Sequence, residues 1–366
     1  MTDTRVTKMA QTIARYSVSL KPGERFLVLT SVPGMALAAE VYREALALGA
    51  LPVVRTLHPE LDELLYRYGN DDQVRFVPEY EKQELESLNA RLVIRGDENV
   101  MTLAGIDPAR LTIGRQARRP LLERMMARKA AGELKNCLTQ YPTNASAQEA
   151  GMSLADYEEF VFRACFADRD DPIEAWLELS RQQQAYVDLL NNVKTLKVEG
   201  PGTDLALSVD GRKWVNSDGK ANFPSGEVFT GPVEDSVNGR VRFDVPTLFS
   251  GQPVENIELE FKAGRVVAAR AERGDQMLQS ALDTDAGSRF LGEFAFGLNY
   301  GISRATRNIL FDEKIGGTIH MAIGAGYPET GSQNRSAIHW DMIKDMKQGV
   351  VLADGRPVYE SGRFIA

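Results

Sequence analysis

Three histidines serve a chain of 366 residues, and two of them stand close together near its end. His339 lies two positions before Asp341 in "SAIHWDM", and His320 lies upstream in "GGTIHMAIG". If these segments are strands, a period of two places His339 and Asp341 on one face and Ile338, Trp340 and Met342 on the other. An imidazole and a carboxylate so placed can reach the same cation. A single histidine on a strand is more often a satisfied core residue than a ligand. Two from adjacent strands, one with Asp at i+2, bring the metal reading level with the core reading.

Two acids could complete a site. Glu227 follows a Pro-Ser-Gly turn in "NFPSGEVFTGPVED", and Glu293 enters the apolar run "GEFAFG". A carboxylate inside such a run is costly to bury unless it is paired or ligates a cation. The competing reading is a glutamate at a strand mouth, facing water. Taken together, Glu227, Glu293, His320, His339 and Asp341 offer three carboxylates and two imidazoles. That set suits two divalent ions such as zinc, cobalt or manganese. A pair of ions roughly 3.5–4 Å apart activates a water and polarises a carbonyl, the equipment of aminopeptidases. Closed structural zinc sites favour Cys and His, so this mixed set reads as a working site.

Other chemistries lack their residues. No G-x-x-x-x-G-K-[ST] loop and no G-x-S-x-G elbow occurs, and "GAGYPE" has Glu329 where a dinucleotide fingerprint needs its third glycine. Cys137 and Cys165 are too far apart for a metal motif and read as buried free thiols of a cytoplasmic protein. His58, before a proline in "RTLHPELDE", reads as a surface residue without a role. The net charge of −8 argues against nucleic acid and offers no basic anchor for anionic lipid. The N-terminal stretch has no apolar signal-peptide core, and no stretch approaches the length of a membrane span.

These residues need elements to hold them. The chain length favours two domains. "RFLVLT" (25–30), "LPVVRT" (51–56), "RLVIRG" (91–96) and "NCLTQ" (136–140) read as strands separated by helical segments, among them 33–50 and 118–135. Such alternation predicts a parallel α/β sheet. Residues from 143 to about 193 read as helical. After 194 short strands with Gly-rich turns take over, including "TLKVEG", "DLALSV", "RKWVNS" and "NIELEFKAGRVVAARAE". The expected architecture is an N-terminal parallel-sheet α/β domain with a helical connector, 1–193, followed by a β-rich α+β metal-binding domain, 194–366.

The stretches "NFPSGEVFTGPVEDSVNGRVRFD", "LGEFAFGLN", "LFDEKIGGTIHMAIGAGYP", "NRSAIHWDMI" and "QYPTNASAQEAGMSLADYEEFVF" occur in order and at compatible spacings. In them the chain resembles the M29 metallopeptidases, the aminopeptidase T and aminopeptidase S group, from about residue 20 to the end. The resemblance implies that Glu227, Glu293, His320, His339 and Asp341 hold two metals. It also implies that Tyr327 helps stabilise the tetrahedral intermediate and that Glu293 takes part in catalysis. It further implies peptide substrates with a free N-terminus, an α/β domain before the metal-bearing domain, and a homodimer. Two features depart from the pattern: the segment between His320 and His339 is short, and "FDEKIGGTIH" displaces its acid relative to His320. Iron-dependent 2,5-dihydroxypyridine dioxygenases are the alternative relatives. They keep the final His-x-Asp around one Fe(II), but have histidine where this chain has Glu293 and lack the acid at Glu227.

Overall fold

The computed structural model describes residues 3–365. The chain divides into two compact units, Met1–Ile173 with Gly219–Phe223, and Glu174–Asp218 with Pro224–Ala366.

The first unit is built on a five-stranded parallel sheet. Its order is Leu51–Thr56, Arg25–Thr30, Ala90–Arg95, Lys135–Gln140, Asn222–Phe223. Parallel strands need cover on their faces, which is why these segments carry apolar runs. Phe26, Leu27 and Val28 are buried in one strand, Leu92 and Ile94 in the next. The helix Met35–Ala47 buries Leu37, Ala38, Val41 and Ala45, spaced to form one face. Two details differ from the sequence reading. The helix expected from residue 118 starts at Pro108, with the Asp107 carboxylate accepting from the Ala109 N–H at 2.8 Å, and it carries Pro120 inside. An Asp cap with Pro in the first turn is a strong start signal, and it outweighs the later proline. The fifth strand, Asn222–Phe223, comes from far along the chain; two residues are too few to show a period.

The second unit contains the helix Pro172–Leu190 from Glu174 onward and two antiparallel sheets. One is nine-stranded, with Thr195–Gly200, Thr203–Ser208 and Asn238–Phe243 near its centre. In it the hairpin Gln252–Lys262 and Arg265–Arg273 turns on Ala263 and Gly264, with φ of 48° and 79°. Positive φ at both turn residues matches the twist of paired strands. The other sheet has the order His339–Asp345, Thr318–Gly324, Leu291–Gly297, Glu227–Thr230, Val215–Ser217, every pair antiparallel. Of the expected "RKWVNS" strand, residues 215–217 pair. One core is shared by both sheets: Val228, Phe294, Phe296, Ile319, Met321 and Met342 meet Leu196, Val198, Leu205, Ile257 and Leu259. Each such side chain contributes about 1.5–3 kcal/mol through burial.

Candidate metal centre

The antiparallel sheet that runs from His339–Asp345 to Val215–Ser217 has one apolar face and one face of chemistry. Phe294, Phe296, Ile319, Met321, Trp340 and Met342 point into the core. The alternate positions are Glu227, Glu293, His320, His339 and Asp341. Register then brings them together. Ala322 on the strand Thr318–Gly324 stands opposite both Glu293 and Asp341, Gly324 opposite His339, and Gly297 opposite Glu227. Small residues at these crossing points leave room between the functional side chains.

A β-bulge sets the phase. Leu291 pairs with Ile323, but Glu293 pairs with Ala322, so Gly292 is an extra residue. In a regular strand Leu291 and Glu293 would share a face. The extra residue lets Leu291 enter the core while Glu293 joins His320. Glycine is required there, since a Cβ on Gly292 would lie 2.3 Å from the Ala325 carbonyl oxygen. Glu227 is aimed by Gly226, whose φ is +121° and whose Cβ would meet that of Asn299 at 2.7 Å. Buried Gln183 donates to the Glu227 carbonyl at 3.1 Å and fixes the strand start.

Glu293 lies between the two histidines. Its Oε1 is 3.4 Å from His320 Nε2 and its Oε2 is 3.1 Å from His339 Nε2. His320 Nε2 is also 3.6 Å from Glu227 Oε2, and His339 Nε2 is 3.5 Å from Asp341 Oδ1. Two ligand sets result, each with atoms within 4.8 Å of one another: Glu227, Glu293, His320 and Glu293, His339, Asp341. His339 Nδ1 donates to the Ala325 carbonyl at 2.7 Å, which turns Nε2 toward the carboxylates.

A third set within the same distance is Glu313, His320, Asp341. Glu313 was not singled out from the sequence; its signal was the displaced acid in "FDEK". Its neighbour Asp312 turns elsewhere, accepting from the Thr306 N–H at 2.7 Å and hydroxyl at 2.9 Å. Lys314 is fully buried and lies 3.7 Å from Glu227 Oε1, while also pairing with Glu313.

Four buried or half-buried carboxylates thus share one lysine and two imidazoles, an excess of acids that a protein interior holds only with cations or protons. Burial pushes the Glu227 carboxyl up against the pull of Lys314 and His320. Burial also opposes ionisation of Glu293, but both histidines outweigh it and hold its carboxyl below the ordinary value. For His339 burial favours the neutral ring, yet Asp341 and Glu293 raise it to about 11. Glu227 Oε2 and Asp341 Oδ1, each facing a histidine Nε2, are buried without a hydrogen bond. Unsatisfied ligand atoms converging on an anionic cluster fit divalent cations.

Tyr327 follows the strand Thr318–Gly324. Its ring centroid lies 5.1 Å from that of His339 and 5.3 Å from that of Phe229. Tyr327 is 38% exposed, yet lost hydration at its hydroxyl, with the carboxylates of Glu293 and Asp341, raises its phenol above the ordinary value, so it keeps its proton at neutral pH. His58 stands apart, exposed and 3.2 Å from Glu60. Cys137 and Cys165 are buried, and burial raises both thiols, Cys137 to about 12. Among the described residues no helix is long and apolar enough to cross a membrane.

The family described as thermophilic metalloprotease (M29) matches residues 2–364. The chain belongs to the M29 metalloprotease family. Aminopeptidase 2 of Geobacillus stearothermophilus is 30% identical, over 98% of this chain and 97% of that protein. Aminopeptidase AmpS of Bacillus subtilis is 27% identical, over 98% of each. With such relatives along its full length, this M29 protein is a metalloaminopeptidase. Wild-type AmpT from Thermus thermophilus shares the fold, with a TM-score of 0.87, 24% identity and 99% of each chain covered. The 2,5-dihydroxypyridine dioxygenase of Pseudomonas putida KT2440 shares it more loosely, at a TM-score of 0.59 and 15% identity over 99% of this chain and 97% of that one. Fold therefore does not separate peptidase from oxygenase, whereas the M29 family and its named relatives disfavour the iron oxygenase.

Proposed function

We propose that this enzyme removes the N-terminal residue from peptides, with two divalent ions (Zn, Co or Mn) held by Glu227, Glu293, His320, His339 and Asp341, and that Glu313 joins them. The observation that carries the reading is the Glu293 carboxylate, one oxygen directed at each histidine. When bound, the two ions supply Lewis-acid polarisation of the scissile carbonyl and a water acidic enough to attack it at neutral pH. Glu293 has a second role, moving the proton from the attacking water to the leaving amine. Tyr327 donates its hydroxyl hydrogen to the oxygen that gains negative charge, the role of an oxyanion-hole donor. His339 is held by the Ala325 carbonyl so that Nε2 stays directed into the cluster. We assign this chemistry to the C-terminal domain, 194–366. A cytoplasmic location accords with two buried thiols, and a homodimer follows from the family resemblance.

The test measures ions and activity on one purified sample. Chelated protein receives Co, Zn, Mn or Fe, and is assayed on a panel of aminoacyl chromogenic substrates. The expected result is about two ions per chain, with hydrolysis of free-amine substrates and none of their N-acetylated forms. His339→Ala is expected to stay soluble and lose hydrolysis. One iron per chain with no hydrolysis would sink the reading.

A further inference from the structure

Lys314 is an unusual neighbour for metal ligands. Its side chain is 0% exposed, so the ammonium has no route to water, unlike a surface lysine that extends its charge outward. Its backbone is fixed on both sides: the N–H donates to the Phe311 carbonyl at 3.0 Å, and its own carbonyl accepts from the Asn299 N–H at 3.0 Å. The ammonium lies 3.7 Å from Glu227 Oε1 and pairs with Glu313. Those two acids belong to ligand sets that include His320. The set of His339 and Asp341 shares Glu293 with the first, whereas the direct ion pairs of Lys314 are with Glu227 and Glu313.

Resting on the two-ion reading above, we propose that Lys314 makes the two ion positions unequal: its ammonium competes for Glu227 and Glu313, so the His320 position fills second and more weakly than the His339–Asp341 position. The physical reason is direct. An ammonium paired with carboxylates that a dication also needs both repels that dication and occupies its donors, and within a few ångströms this repulsion is worth roughly tenfold or more in affinity at a protein's effective dielectric. At the His339–Asp341 position the ring's Nδ1 is committed to the Ala325 carbonyl, which leaves Nε2 as the atom directed at Glu293 and Asp341. The lysine thereby acts as a positioning residue for one ion and leaves the other tightly held.

The test is a Co²⁺ titration of chelator-stripped full-length protein, followed by visible absorption and calorimetry. Wild type is expected to bind two ions with affinities separated by roughly tenfold or more. Lys314→Met removes the charge at similar length and is expected to close most of that gap, whereas Lys314→Arg keeps it. Glu227→Gln should lose the weaker ion and retain the tighter one. Two ions of equal affinity in wild type would overturn the proposal without any variant, and so would a gap unchanged in Lys314→Met, while both results leave the two-ion reading standing. One ion in wild type and two in Lys314→Met supports the proposal in its strongest form. One ion in both would overturn the two-ion reading itself.

Discussion

Glu293 and Tyr327 face the same cluster with opposite electrostatic consequences. Glu293 is held ionised by the two histidines despite its burial, which suits it to hold cations. Tyr327 is held neutral by the same carboxylates, which suits it to donate a hydrogen bond. The two roles predict different losses. Tyr327→Phe removes one hydroxyl and no ligand. Its kcat is expected to fall by about 10²–10³-fold, the cost of one oxyanion donor, with ion content unchanged by atomic emission. A variant that kept most of its kcat would leave Tyr327 as a packed ring beside His339.

At the scale of elements, the site depends on short backbone devices. Gly226 adopts φ +121° immediately before Glu227, against Asn299. Gly226→Ala is expected to cost about 1–3 kcal/mol and to reduce ion binding, since any relief displaces the first ligand of the strand. Urea unfolding and Co²⁺ titration of the same variant check both effects; an unchanged urea midpoint would refute the strain. The helix Ile309–Asp312 ends on another device. Burial raises the Asp312 carboxyl from 3.8 to about 7, even though Thr306 hydrogen bonds oppose the shift. An acid whose folded pKa is raised binds its proton more tightly when folded, so its contribution is greatest below the unfolded value and is lost as pH rises. Stability is therefore expected to decline between pH 3.8 and about 7 on account of this group. Asp312→Asn cannot ionise and should flatten that part of the profile of urea midpoints against pH. An identical profile in the variant would count against it.

For the whole molecule, ions that bind the folded chain and not the unfolded one stabilise it by mass action. At a free-ion concentration about 100-fold above Kd the gain is about 2.7 kcal/mol, a shift of a few degrees in Tm for a chain of this size. Chelation is expected to lower Tm by that order, and scanning calorimetry with and without Co²⁺ measures it. His339→Ala should melt near the chelated wild type and respond weakly to added Co²⁺. A wild-type Tm indifferent to both chelator and Co²⁺ would mean that the cluster holds no ion of consequence.

The sequence by itself determined the architecture and most of the ligand candidates. Strands such as Arg25–Thr30 and Leu51–Thr56 were legible because apolar runs and β-branched residues carry a local signal. The His339–Asp341 pair was legible because its spacing of two is itself the period of a strand. What the sequence left open depends on contacts between distant segments. Gly292 reads as one more glycine until its partner strand shows that it is the extra residue of a bulge. In "FDEK" three charged residues stand together, and nothing local tells which turns inward. Tertiary structure commits Asp312 to Thr306, Glu313 to His320 and Asp341, and Lys314 to Glu227. The physical reason is that periodicity fixes which face a residue takes on its own strand, whereas register and turn geometry decide which faces meet.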